Sequence, residues 1–321
     1  MMHDLLENSI FPSLSNPQLA NGHDGAILEV NGNQLVFTTD SYVVSPLFFP
    51  GGDIGKLAAH GTINDLAMFG ARPLGVSVGL IIEEGLEIAT LEKISRSLAR
   101  ALEESGVKVV TGDTKVVDHG KGDGLFINTS GVGIKEYDGR IHADQVQPGD
   151  AIILSGDLGR HGIAILSARE GLKLQSEILS DCASLWLPVE KMLRAGIKLH
   201  CLRDLTRGGL SSALVEIAKG SDLRFEIQEC NIPITSSVRG TCEILGLDPL
   251  YIANEGRFVA FIPQSESERA LELLKSCHHT RDASVIGIVQ NTKRSGVFLE
   301  TTLGTTRKVE MLSGEQLPRI C

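Results

Sequence analysis

Residues 146 to 156 read VQPGDAIILSG, a Pro-Gly-Asp turn signal that runs straight into an apolar segment. A turn followed by a fresh buried strand marks a domain boundary, so the chain is expected to fold as two units. A length of 321 residues agrees with the prior for about two domains. In the first unit, 26–30 and 34–39 read as strands about the turn Asn31-Gly32-Asn33, with further strands at 73–82, 107–110 and 124–134. Helical spacing of apolar residues falls at 54–69, weakened by Gly55 and Gly61, and more clearly at 91–104. The second unit repeats the mixture. Strands are expected near 151–155, 223–228, 257–262, 284–290 and 296–300, and helices at 161–170, 181–195, 209–219, 235–245 and 266–276. Strict alternation is missing, which favours α+β over a doubly wound sheet. The expected organisation is an N-terminal helix (2–11) and loop over 1–24, α+β domains at 25–148 and 149–303, and a flexible tail at 304–321.

Forty acidic against thirty basic residues give a net charge of -10, which argues against nucleic acid as a partner. No run approaches the roughly 18 apolar residues of a membrane span, and the chain opens with an acid rather than a basic leader, so no membrane association and a cytoplasmic location are expected. Six cysteines without C-x-x-C spacing suggest neither a disulfide framework nor a zinc site. Cys182, Cys201, Cys230, Cys242 and Cys277 read as buried thiols. Cys321 stands apart as the last residue, either a dispensable end or a chemical group on a movable arm.

Five aspartates sit at segment ends beside Gly, Thr or Asn: Asp24, Asp40, Asp65, Asp113 and Asp204. Polyphosphate held through Mg²⁺ requires oxygen ligands on loops that the backbone brings close, and these residues supply them. Each alone also fits a turn or helix cap. Two glycine-rich stretches, FFPGGDIGKLAAHG with Gly51 and Gly52, and SGDLGRHGIAIL with Gly156 and Gly159, lead into helices whose free N–H groups favour phosphate. Neither matches a standard nucleotide fingerprint, and both also fit tight turns. In VVTGDTKVV an extended backbone points Asp113 and Lys115 to the same side, setting a cation or proton donor beside a metal ligand. Glu255 in ANEGRF precedes an apolar strand, as a base or as a cap. The nine histidines show no ligand spacing; His60 and His161 lie in the glycine loops without an evident partner.

Taken together, TTDSYVVSPLFFPGGDIGKLA, NDLAMFGARP, VVTGDTKVV, LFINTSGVG, SGDLGRHG, RDLTRGGL, ANEGRF and the terminal PRIC resemble the ATP-using superfamily of aminoimidazole ribonucleotide synthetase, selenophosphate synthetase and thiamine monophosphate kinase. Within it the chain is similar to the hydrogenase maturation family HypE. The resemblance runs from residue 24 to the C-terminus, and PRIC is its most specific part. It implies a two-domain α+β fold whose N-terminal sheets pair into a barrel across a homodimer. It also implies an ATP-dependent carbamoyl dehydratase: the terminal cysteine receives a carboxamide from the carbamoyltransferase HypF, ATP drives its dehydration to a thiocyanate, and the cyano group passes to iron on a HypC-HypD scaffold.

Carried onto this sequence, Asp24, Asp40, Asp65 and Asp113 would hold Mg²⁺. Asp40, Gly51, Gly52, Asp65, Asp113, Gly156, Gly159 and Asp204 would lie at the nucleotide, and Lys115 and Glu255 would flank the Cys321 carboxamide, either one serving as base. Relatives carry a His-Gly-x-Gly-Gly segment ahead of the first helix where this chain opens with MMHDLLENSIF, and His23 stands where many carry an acid. A small-molecule kinase of the same superfamily, or a carrier that only presents Cys321, are the alternatives.

Overall fold

A computed structural model describes residues 11–14, 16, 23–172, 177–292 and 294–312. The helix expected at 2–11 lies outside these residues except for Phe11, which opens a single helical turn, Phe11–Leu14. The first half builds a five-stranded sheet from β1 (Ala26–Val30), β2 (Asn33–Tyr42), β5 (Ala71–Glu83), β6 (Val109–Val117) and β7 (Leu125–Lys135), in the order β1-β2-β7-β5-β6. All pairs are antiparallel except β5 with β6. A two-residue hairpin, β3 (Phe48–Phe49) and β4 (Gly52–Asp53), stands beside it.

Alternation along β2 buries Val36, Thr38 and Tyr42 and leaves Phe37, Thr39 and Ser41 outside, so this sheet has one covered face. The cover is α1 (Ile54–Met68). Every residue of α1 except Lys56 is buried, which explains its faint sequence periodicity: a helix packed on all sides needs no polar stripe. Asp53 caps its start by accepting from the amides of Gly55 and Lys56. The two glycines that weaken its pattern are required by close approach. A Cβ on Gly55 would lie 2.5 Å from the Ile94 carbonyl oxygen, and one on Gly61 2.1 Å from the Tyr42 hydroxyl. Beside it, α2 (Ile88–Glu104) buries only Ile94, Leu98, Ala101 and Leu102, a stripe that is plain in the sequence.

The second half is a seven-stranded sheet, β14-β13-β10-β12-β8-β11-β9, in which the fully buried β8 (Asp150–Leu154) lies between β12 and β11. The others are β9 (Cys201–Asp204), β10 (Arg224–Gln228), β11 (Phe258–Pro263), β12 (Ser284–Gln290), β13 (Gly296–Glu300) and β14 (Thr306–Val309). Its helices are α3 (Arg160–Glu170), α4 (Trp186–Arg194), α5 (Gly209–Ser221), α6 (Ser236–Leu245) and α7 (Ser267–Lys275). Ile152, Leu154, Phe225 and Phe261 pack towards α5, while Ile153, Ala260 and Ile262 join Ala67 and Met68 from the end of α1. The first-half helix thus enters the second-half core, which brings residues of both halves to one seam.

Three expectations are corrected. The tail does not begin at 304, because β14 pairs with β13 and buries Val309. The helix expected from 181 begins at Trp186: Ser180 Oγ accepts from the Cys182 amide and Asn64 Oδ1 from the Leu185 amide, anchors that hold this backbone out of a helix. Cys230, taken for a buried thiol, is exposed in a short turn at Glu229–Asn231. Among the described residues no helix is long and apolar enough to cross a membrane.

Candidate functional site

At the seam, Asp24 ahead of β1, Asp65 on α1 and Asp204 at the end of β9 place carboxylate oxygens within 4.8 Å of one another. Thr38 Oγ1 donates to Asp65 Oδ2 at 2.6 Å and also lies 2.8 Å from the Asp24 carbonyl oxygen. Arg203 Nε donates to Asp24 Oδ1 at 3.1 Å. The second oxygen, Asp24 Oδ2, is buried and has no hydrogen-bond partner among the described residues. Asp40 stands next to the trio on β2 and accepts from the Tyr42 hydroxyl at 3.0 Å.

Burial raises the pKa of Asp65 well above the carboxylate range, and Asp40, Asp204 and Asp24 add to it by charge repulsion. Asp204 is raised in the same way by burial and Asp24, against the pull of Arg203, and Asp40 is raised chiefly by burial. Such a group of carboxylates must either keep protons or share a cation. All-oxygen ligands on rigid elements suit a hard divalent ion such as Mg²⁺, and the unpartnered Asp24 Oδ2 fits that use. His23 is kept neutral at ordinary pH because burial lowers its pKa to about 4.

Other expected residues lie elsewhere. Asp113 and Lys115 pair with each other at 2.7 Å on the exposed edge strand β6, as their alternation predicted. Through Thr129 and Val78–Gly79 they are three strands from Asp40, roughly 14 Å across the sheet, so one copy of the chain does not bring them to the trio. Glu255 is buried against the residue before Asp65: its carbonyl accepts from Asn64 Nδ2 at 3.2 Å and its amide donates to Asp181 Oδ1 at 3.4 Å. Gly51, with φ +90°, sits against the backbone of Ser180, and its carbonyl accepts from Lys56 Nζ at 3.1 Å. Gly52 follows it in the hairpin. Gly156 and Gly159 make close contacts within the protein, where a Cβ would meet Arg257 Nε at 2.7 Å and Val238 at 2.9 Å. His161, read as lacking a partner, has one in Ser180 Oγ at 2.9 Å. Cys321 lies outside the described residues.

Sequence reasoning missed Thr38, Tyr42, Asn64 and Arg203. Thr38 and Tyr42 were accessible, since each stands two residues from Asp40 on one strand and shares its face. Arg203 adjoins Asp204 in the sequence, but its grip on Asp24 is a long-range contact.

The chain matches the AIR synthase related protein family, by its N-terminal domain over residues 22–135 and its C-terminal domain over 147–300. A carbamoyl dehydratase HypE from Azotobacter vinelandii is 50% identical over 320 residues, spanning 100% of this chain and 94% of that protein. The chain belongs to the carbamoyl dehydratase HypE family. Among solved structures, a HypE chain in a HypE-HypF complex superposes with a TM-score of 0.91 at 43% identity, covering 96% of this chain and 99% of that one. A HypE in complex with ATP superposes with a TM-score of 0.87 at 46% identity, covering 100% and 96%. The two-domain α+β fold expected from the sequence is therefore that of the HypE family.

Proposed function

We propose that this chain is an ATP-dependent carbamoyl dehydratase of hydrogenase maturation and that its substrate is a carboxamide borne on the sulfur of Cys321. The observation that carries the site is the convergence of Asp24, Asp65 and Asp204 with one carboxylate oxygen left unpartnered. Mg²⁺ on this trio, with Asp40 beside it, would screen the triphosphate of ATP and orient its γ-phosphate.

The chemistry balances with the residues at hand. The carboxamide oxygen attacks the γ-phosphorus and ADP leaves; the C–O bond then breaks with departure of phosphate, while the nitrogen gives up two protons to form the nitrile. An amide oxygen is a poor leaving group until phosphorylated, which is the role of ATP. Glu255, buried against Asn64 of α1, and Lys115 are the groups for proton removal. Lys115 and Asp113 would enter from a second copy, because in one copy they lie on the edge strand of the sheet, whose outer side is unpaired among the described residues.

The root of the tail favours access by Cys321. Leu312 Cβ lies 3.8 Å from the Cβ position of Gly208, four residues past Asp204, and the Tyr251 hydroxyl donates to the Glu310 carbonyl at 3.0 Å. The residues from 313 to 321, fully extended, reach up to roughly 30 Å, enough to span from this root to the trio or out to a partner. The partners of this reading are a HypF-like carbamoyltransferase, a HypC-HypD iron scaffold and a second copy of the chain.

Intact-protein mass spectrometry tests it, after incubation with the carbamoyltransferase, carbamoyl phosphate and Mg-ATP, for wild type and Cys321→Ala. A carboxamide adduct on wild type alone, losing one water only when ATP is present, is the expected result. An adduct that never loses water would leave a carrier, and no adduct would favour a small-molecule kinase.

A further inference from the structure

Beneath the linker that joins the two sheets lies a cavity of about 40 Å³ whose wall includes His23, Ile27, Phe69, Lys135, Arg140 and His142, and no carboxylate. The nearby acids act from outside that wall. Asp144 accepts from Arg140 Nη1 at 2.8 Å and lies 3.1 Å from His142 Nδ1, while Asp138 and Glu29 act on Lys135 through charge alone.

Hydrogen-bond donors are left over on this wall. The His23 ring packs on Phe69 at 3.9 Å between centroids and stacks over His142 at 5.9 Å. Its Nδ1 accepts from the Asp24 amide at 2.8 Å, so the proton of the neutral ring is on Nε2. That nitrogen is buried, in a side chain only 6% exposed, and has no hydrogen-bond partner among the described residues. Lys135 Nζ donates to Gln34 Oε1 at 3.1 Å and to the Tyr137 carbonyl at 2.8 Å, which uses two of its three protons. Arg140 offers five N–H donors and gives one to Asp144.

We propose that this cavity is a binding site for a small oxyanion, held by His23 Nε2, Lys135 Nζ and the Arg140 guanidinium. A neutral N–H, an ammonium and a planar fork around a space with no carboxylate suit an anion with several acceptor oxygens better than a cation or a hydrocarbon. The volume, little more than one water's share of the liquid, excludes a nucleotide, and an ion such as inorganic phosphate would sit at the cavity's open side with part of its oxygens outside. Its place gives the site a consequence. His23 precedes Asp24 in the chain, and the His142 amide donates to the His200 carbonyl at 2.9 Å, so an oxyanion here would tie the inter-sheet linker to the aspartate corner. The proposal is independent of the dehydratase reading, and its test involves no turnover.

Inorganic phosphate is the probe, on full-length protein with EDTA present so that no metal-bridged binding contributes. Equilibrium dialysis gives the affinity, and ¹⁵N NMR of the imidazoles reports on His23, assigned by the signal lost in His23→Gln. Saturable binding that shifts the His23 Nε2 signal and weakens about tenfold or more in Arg140→Gln is expected. Lys135→Met should weaken it likewise and serves as the second variant if Arg140→Gln fails to fold. Absence of saturable binding, binding equal in wild type and both variants, or binding that leaves His23 unshifted would overturn the proposal.

Discussion

Arg203 holds one oxygen of Asp24 and leaves the other for the site: Nε donates to Oδ1 at 3.1 Å, while Oδ2 is buried and unpartnered among the described residues. The same guanidinium reaches Glu216 Oε2 through Nη2 at 3.1 Å, so its own position is fixed from both sides. Arg203→Gln keeps a donor but removes the charge and the fork. The Mg²⁺ requirement for ATP turnover should rise about tenfold, equivalent to about 1.4 kcal/mol, with a smaller change in kcat at saturating Mg²⁺. An unchanged Mg²⁺ titration of ADP release would show that Asp24 needs no such support.

Asp65 should be a liability in the metal-free protein. Burial and three neighbouring aspartates raise its folded pKa, so the folded state holds a proton that the unfolded chain has released. Stability from this group is complete below the unfolded pKa, near 4, and is lost as pH rises through the folded value. Asp65→Asn keeps an acceptor for Thr38 and removes the charge. In EDTA at neutral pH it should stabilise the fold by on the order of 1–3 kcal/mol, with a gain that grows with pH, while stabilisation by Mg²⁺ disappears. Thermal melts across pH, with and without Mg²⁺, decide this; a variant less stable than wild type in EDTA at neutral pH would contradict it.

What could be read from the sequence follows how local each feature is. The stripe of Ile94, Leu98 and Leu102 in α2 is a helix pattern in itself, and the turn that opens β8 is equally local, with the Asp150 amide donating to the Gln147 carbonyl. α1 was half legible because burial on all sides erases periodicity. β14 was not, since its strand character comes from pairing with β13 rather than from its own residues. The candidate aspartates were legible one at a time as loop-end acids. That Asp24, Asp65 and Asp204 meet while Asp113 stays on the sheet edge depends on α1 crossing into the second core, which no window of sequence encodes.

Two buried histidines give an acid limb of opposite sign to that of Asp65. Burial lowers the pKa of His60 to about 3 and of His161 to about 4. A histidine depressed on folding binds fewer protons folded than unfolded between those values and about 6.5, so its stability is present above that range and lost as pH falls. Each should account for an acid loss on the order of 3 kcal/mol. His60→Gln and His161→Gln should flatten the decline in denaturant midpoint between pH 6.5 and 4; an unaltered slope would refute the assignment.

Gly61 sets helix propensity against packing. Alanine gains about 1 kcal/mol over glycine inside a helix. Its Cβ would lie 2.1 Å from the Tyr42 hydroxyl oxygen and 2.9 Å from Cζ, so the phenol must move and lose its bond to Asp40. Overpacking costs about 1–3 kcal/mol and the hydrogen bond about 1, so the loss prevails. Gly61→Ala should lower Tm, whereas Gly240→Ala in α6, where nothing lies within 4 Å of the new Cβ, should raise it.

The outer face of the first sheet argues for a shared site. Phe37, Leu74 and Val110 surround a groove of about 440 Å³, and β6 ends the sheet with its outer edge unpaired among the described residues. An apolar face beside a free edge suits a second copy, and closing the two sheets would bring each β6 to its partner's site. If two copies pair through this face, the wild type sediments as a dimer and Val110→Lys shifts it towards monomer in sedimentation velocity. The sharper check mixes Asp65→Asn with Asp113→Asn, each inactive alone. If Asp113 acts across the interface, random heterodimers carry one intact site and restore about a quarter of wild-type turnover. If both residues serve the same copy, every site in the mixture lacks one of them and no activity returns.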